Sequence, residues 1–170
     1  DELDMHHSHE SFAARQRMIN ADGNAGNQVI WFTDARPAVA FDQTAMAFEV
    51  IDEWMANIAA HPDRSVARNK PSGAVDSCFA TDGSLIASGR RVWDGVLDDR
   101  ADGACTQRFP IYSSSRREAG GPYEGGVWKC DLQSVRRALR NDVYGDWEPT
   151  AEERARLEQI FPEGVCNWDR

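Results

Sequence analysis

The sequence predicts an α/β protein: a helix–strand–helix opening, then a crosslinked, hairpin-rich stretch that closes on a helix. Three observations carry this prediction. A short β-branched and aromatic run precedes one strongly periodic apolar helix, the texture changes to Gly, Ser, Asp and Arg clusters between Asn69 and Gly126, and all four cysteines fall from residue 78 onward. At 170 residues the chain is long enough to bury a real core. Its 19 basic residues against 28 acidic ones give a net charge of −9, which argues against nucleic acid or an anionic membrane as partner. With 41% apolar residues and six tryptophans it is too rich in core material to be disordered. Apolar stretches are far shorter than the roughly 20 residues that cross a bilayer, and no charged-then-apolar leader opens the chain. A soluble protein is expected, already processed or a fragment of a longer one.

The first element is a helix over 11–19, entered through Ser11 as N-cap, with Phe12, Ala14, Met18 and Ile19 on one side and a stop at Asn20-Ala21-Asp22-Gly23. Residues 28–32, Gln-Val-Ile-Trp-Phe, read as a buried strand bounded by Asn/Gly before and by Asp34 and Pro37 after. Ala47, Phe48, Ile51, Trp54, Met55 and Ile58 then recur at helical spacing from Thr44 to the His61-Pro62 stop. Trp31 and Trp54 fall on core faces and read as packing residues. A lone buried strand must pair with others to satisfy its backbone, and such partners are hard to identify downstream.

The second half is punctuated differently. Short strands around Cys78-Phe79 and Leu85-Ile86 flank Asp82-Gly83, a hairpin dipeptide. Val127–Cys130 reads as another short strand, and Asp131 as the cap of a helix through Leu132, Val135 and Leu139. Thr150 and Glu153 form a capping box for a last helix with Leu157, Ile160 and Phe161 on one face, ended by Pro162 and Gly164. The expected division is therefore 1–62 for the α/β elements and 63–170 for the irregular, crosslinked segment.

Cys78, Cys105, Cys130 and Cys166 form no CxxC pair, so a structural zinc is not expected. Two disulfides are expected instead, with sequential pairing preferred among three connectivities, and with them a secreted or periplasmic location. The stretch Asp4-Met5-His6-His7-Ser8-His9 concentrates three of the four histidines beside a carboxylate. Such a tract is a solvated loop, a general base with its orienting acid, or a metal-binding segment. Asp94, Asp98, Asp99 and Asp102 lack calcium-loop spacing and read as a solvated acidic loop. The Arg116-Arg117 turn could hold a carboxylate, though a surface ion pair is the ordinary outcome. No G-x-S-x-G elbow is present, so a serine nucleophile, if one is used, lies outside these residues. No metal is assigned and no cofactor is expected.

Several strings taken together carry a resemblance. They are Asp4-x-His6 with Ser11-Phe12 and Arg15-x-Arg17, Asn27-Gln28-Val29-Ile30-Trp31, Asn69-Lys70-Pro71 with Asp76-x-Cys78, Ala119-Gly120-Gly121-Pro122, Lys129-Cys130, and Ile160-Phe161-Pro162-x-Gly164-Val165-Cys166. The combination resembles the C-terminal portion of a family of large secreted bacterial proteins similar to α/β-hydrolase esterases of the tannase and polyester-depolymerase kind. The resemblance implies that the opening helix–strand–helix is the end of an α/β-hydrolase sheet, with a preceding polypeptide or another subunit as partner. It also implies an ester substrate, with His6 and Asp4 as the acid–base half of a Ser-His-Asp triad. One departure stands out: the loop from Thr33 to Gln43, where the triad histidine would sit, contains none, and Asp34 and Asp42 cannot replace an imidazole. Two other readings stay open, a non-catalytic structural or interaction module and a His-cluster metal-binding segment.

Overall fold

The structure is a computed structural model and describes residues 8–34, 42–98, 100–112, 114–126 and 129–168. It is mixed α/β and divides into two compact units, residues 1–112 and 113–170. Residue 62, the expected boundary, lies inside the first unit, where strand pairing joins the chain on its two sides.

In the first unit, α1 (His9–Asp22) starts at His9 rather than behind a Ser11 cap. His9 is already buried in the first turn, and the Ser11 N–H donates to the Ser8 carbonyl instead. Strand β1 (Trp31–Thr33) is shorter than the expected 28–32. The reason lies in other uses of the backbone groups: the Asp76 carboxylate accepts the Ile30 N–H at 2.8 Å, and the Gln28 N–H closes a turn to the Ala25 carbonyl. Helix α2 (Thr44–Ala60) has the expected limits, with Asp42 accepting the Thr44 N–H at its start.

The partner of β1 that the sequence left unidentified is β2 (Ser77–Phe79), which pairs on its other edge with β3 (Leu85–Ser88). The sheet order is β1-β2-β3, with β1 parallel to β2 and β2 antiparallel to β3. A parallel pair needs a long crossover, and α2 lies within that connection. The β2–β3 turn closes through the Ala80 N–H to the Ser84 carbonyl, and Asp82 accepts from the Ser84 N–H, as its hairpin chemistry predicts. Phe32 shares a sheet face with Cys78, and there the core forms. Phe12 of α1 meets Phe32 and Trp93 edge-on at 5.8 and 5.2 Å, Phe32 meets Trp93 at 4.7 Å, and Phe109 completes the cluster. Helix α3 (Ala104–Arg108) brings Cys105 to Cys78 in a disulfide beside this cluster.

Helix α2 departs from expectation in its burial. None of its residues is buried; Phe48, Ile51 and Met55 are 71, 56 and 59% exposed. Trp54 and Trp31 do pack, donating through their indole nitrogens to the carbonyls of Val66 and Val75.

The second unit holds α4 (Ser115–Glu118), β4 (Asp131–Gln133), α5 (Val135–Arg140), α6 (Ala151–Ile160) and β5 (Val165–Asn167). Asp131 does not cap a helix, because it is the first residue of β4, antiparallel to β5. Ser134 takes the cap, accepting the Arg137 N–H at 3.2 Å. Of the strand expected at 127–130, residues 127 and 128 lie outside the described residues. The Cys130–Cys166 disulfide staples β4 to β5, so both bridges pair sequentially. The Thr150–Glu153 capping box is formed, yet Ile160 and Phe161 on the expected face are 54 and 44% exposed. Gly121 and Gly164 have steric reasons to be glycine: a Cβ would stand 2.7 Å from the Arg116 carbonyl at the first and 2.4 Å from the Gln133 carbonyl at the second. Among the described residues no helix is long and apolar enough to cross a membrane.

Candidate functional site

Asp4 and His6, the expected acid and base, lie outside the described residues, as does His7. The tract's last histidine, His9, is buried in the first turn of α1 with Nδ1 3.7 Å from the Glu10 carboxylate. Among the described residues no cluster of His, Cys, Asp or Glu could hold a metal ion. The described aspartates of the acidic loop are engaged by arginines: Asp94 by Arg91 at 3.0 Å, Asp98 and Asp102 by Arg100 at 3.4 and 3.2 Å. All four cysteines are in disulfides, which leaves no reactive thiol.

The chemistry-bearing groups that the first unit does assemble lie around its sheet. At the carboxyl end of β1, where ligands of parallel sheets gather, Asp34 is 5% exposed and accepts from Arg108 at 2.6 Å. Its own N–H donates to the Phe79 carbonyl. Beside it the Thr33 hydroxyl donates to the Gln43 side chain at 2.6 Å. Asp42, the other acid of the loop, is committed to Thr44, whose hydroxyl and N–H hold its carboxyl below the ordinary range. Both acids therefore have structural partners.

At the opposite end of β1 a second arrangement locks α1 to the sheet. Arg15 donates to both oxygens of Asp76 at 2.6 and 2.9 Å, with each side chain about one-seventh exposed. Its Nε donates to Gln28, which in turn donates to the Ser11 carbonyl. Ser11, Arg15, Gln28 and Asp76 all belong to the strings that carry the resemblance, and their geometry here is that of a clamp. The sequence named them without pairing them, since Arg15 and Asp76 stand 61 residues apart. The Ala119-Gly120-Gly121-Pro122 string is likewise structural, because Trp168 packs over Gly120 and Gly121 and donates to the Ala119 carbonyl at 2.8 Å. In the second unit a cleft of about 470 Å³ opens between β4 and the end of α6, lined by Leu132, Arg136, Glu158, Phe161 and Glu163 among others.

A family model described as the Tannase-like family of unknown function (DUF6351) matches residues 1–170. The chain belongs to this family. No curated protein and no solved structure matches it. The family description carries a likeness to tannases, which relates the chain to hydrolases without assigning a reaction.

Proposed function

We propose that this chain forms part of a secreted or periplasmic ester hydrolase of α/β-hydrolase type, supplying the acid–base half of a triad whose serine lies outside residues 1–170. His6 takes the serine proton as the hydroxyl attacks the ester carbonyl and returns it to the leaving alcohol, while Asp4 fixes the imidazole tautomer. The crosslinked segment then walls the substrate entrance.

The observation that carries this reading is the edge of the sheet. β1 runs parallel to β2, and among the described residues no strand pairs with its other edge. The open edge of β1 offers its backbone N–H and C=O groups to a further strand, and parallel sheets of this kind are usually covered on both faces. Further parallel strands there would place β1 inside a larger sheet, as the hydrolase reading requires. The tannase-like family and the two disulfides, which persist in oxidising compartments, support the same reading.

The test is hydrolysis of p-nitrophenyl acetate by the native protein and its His6→Ala and Asp4→Asn variants. Loss of His6 is expected to lower kcat roughly 10⁴-fold or more, with a smaller loss for Asp4→Asn. Unchanged hydrolysis in His6→Ala would remove it from the site.

A further inference from the structure

We infer that two copies of this chain associate head to tail, the arginine stripe of α5 on one copy against a carboxylate stripe of α2 on the other. Neither stripe belongs to the proposed catalytic site, so the association stands apart from the hydrolase reading. Arg136, Arg137 and Arg140 supply the first stripe. At 3.6 residues per turn they share roughly 100° of arc, and the middle of that arc lies opposite Val135 and Ala138, which are 3 and 0% exposed. All three arginines are exposed, and none makes an ion pair or a side-chain hydrogen bond among the described residues.

The sequence of α5 works against its own helix. Arg136 stands in the first turn, where the helix dipole disfavours a cation, and it lies four residues from Arg140, a like charge on the same face. Helix α6 has the opposite and favourable arrangement, with Glu152 and Glu153 in its first turn. Arginines of the first unit also find counter-charges, Arg91 at Asp94 and Arg108 at Asp34. A nearby anion would relieve the α5 arginines, and the described residues supply none within ion-pair distance.

Helix α2 carries the complement. Glu49, Asp52 and Glu53 are exposed, share roughly 100° of arc and make no ion pair among the described residues, and the helix contains no Lys or Arg. Trp54 and Asn57, whose hydrogen bonds hold α2, lie outside that arc. Each stripe runs over about 6 Å of helix, so the two patches match in length and are opposite in sign. A helix surface is convex and suits another surface better than a small ion, and an extended polyanion would meet the net charge of −9 along its length. A second copy brings a short acidic patch, and beyond the Debye length of about 8 Å the rest of its charge is largely screened. Exposed ion pairs are individually weak, so the contact is weak and is read at high protein concentration. Because the two patches differ, the contact does not close on itself and can add further copies.

Sedimentation equilibrium of the full-length protein tests this with two triple variants. Arg136, Arg137 and Arg140 become Glu in one, and Glu49, Asp52 and Glu53 become Lys in the other. The native protein should show a mass that rises with concentration, and each variant alone an association constant roughly tenfold or more lower. Mixing the two variants should restore association, since each then offers the other an opposite stripe. Far-ultraviolet circular dichroism checks that both variants fold, and the single reversals Arg140→Glu and Asp52→Lys replace in the same mixing format any that does not. A native protein that stays monomeric, association that survives either reversal, or a mixture that fails to associate overturns the contact.

Discussion

The unit spanning 1–112 packs Phe12, Phe32, Trp93 and Phe109 into one aromatic cluster and adds the Arg15–Asp76 clamp and a disulfide. The unit spanning 113–170 buries little beyond Tyr123, Val135 and Ala138, and its two-stranded sheet is closed by the Cys130–Cys166 bridge. A core this small rarely supplies more than about 3–5 kcal/mol, so in the second unit the crosslink decides whether the fold exists. In the first it reinforces a fold that side-chain packing already supports. The same covalent device thus carries different weight in the two regions, set by how much apolar surface each can remove from water.

The largest expected effect follows directly. Replacing Cys130 and Cys166 by Ser should unfold the second unit, since a loop of 36 residues is worth about 3–4 kcal/mol, close to all that its core provides. Replacing Cys78 and Cys105 should cost a similar amount yet leave the first unit folded. Amide exchange read by mass spectrometry, unit by unit, checks both, and equal loss of protection in the two units would break the comparison. Next is Asp76→Asn, which keeps the shape but leaves the Arg15 guanidinium without its counter-charge. A loss of about 3 kcal/mol is expected in urea unfolding followed by tryptophan fluorescence. In the second unit, Gly164→Ala should cost about 1–3 kcal/mol, because φ is +109° and the added methyl meets the Gln133 carbonyl. Loss of β4–β5 amide protection would report it.

The smallest effect is a pH dependence. The Thr150 N–H and hydroxyl hold the Glu153 carboxyl below its ordinary range. A depressed folded pKa means the stabilisation is fully present above the unfolded value of about 4.3 and is lost as pH falls through the lower folded value. The protection factors of the amides at the start of α6, corrected for the intrinsic fall in exchange with pH, should therefore drop on acidification through that window. Glu153→Gln, which removes the titrating carboxyl, should abolish the dependence, whereas Thr150→Val keeps the N–H and should only weaken it; a Glu153→Gln variant that retained it would place its origin elsewhere.

What the sequence showed and what it hid divide along the range of the interaction. The limits of α2, the Thr150–Glu153 box and the Asp82-Gly83 hairpin were all legible, because each depends on residues within a few positions of one another. Sequential pairing of the cysteines was the preferred one of three connectivities, but the sequence could not choose among them; the structure forms it. Arg15–Asp76 and Arg108–Asp34 were not legible, since 61 and 74 residues separate their partners and no periodicity links them. The parallel pairing of β1 with β2 was hidden in the same way. Periodicity correctly made α2 a helix with an apolar side, but it could not say that this side would face outward, because a pattern records which residues share a face and not what covers them. At the candidate site the sequence supplied residue types, His6 beside Asp4, while the described residues supply the scaffold that follows them.

Activity-based labelling of the intact protein tests the hydrolase reading most directly. The account predicts that a fluorophosphonate modifies one serine outside residues 1–170, and that His6→Ala suppresses the modification while Arg17→Ala leaves it unchanged. No labelled serine, or one labelled equally fast without His6, would contradict it.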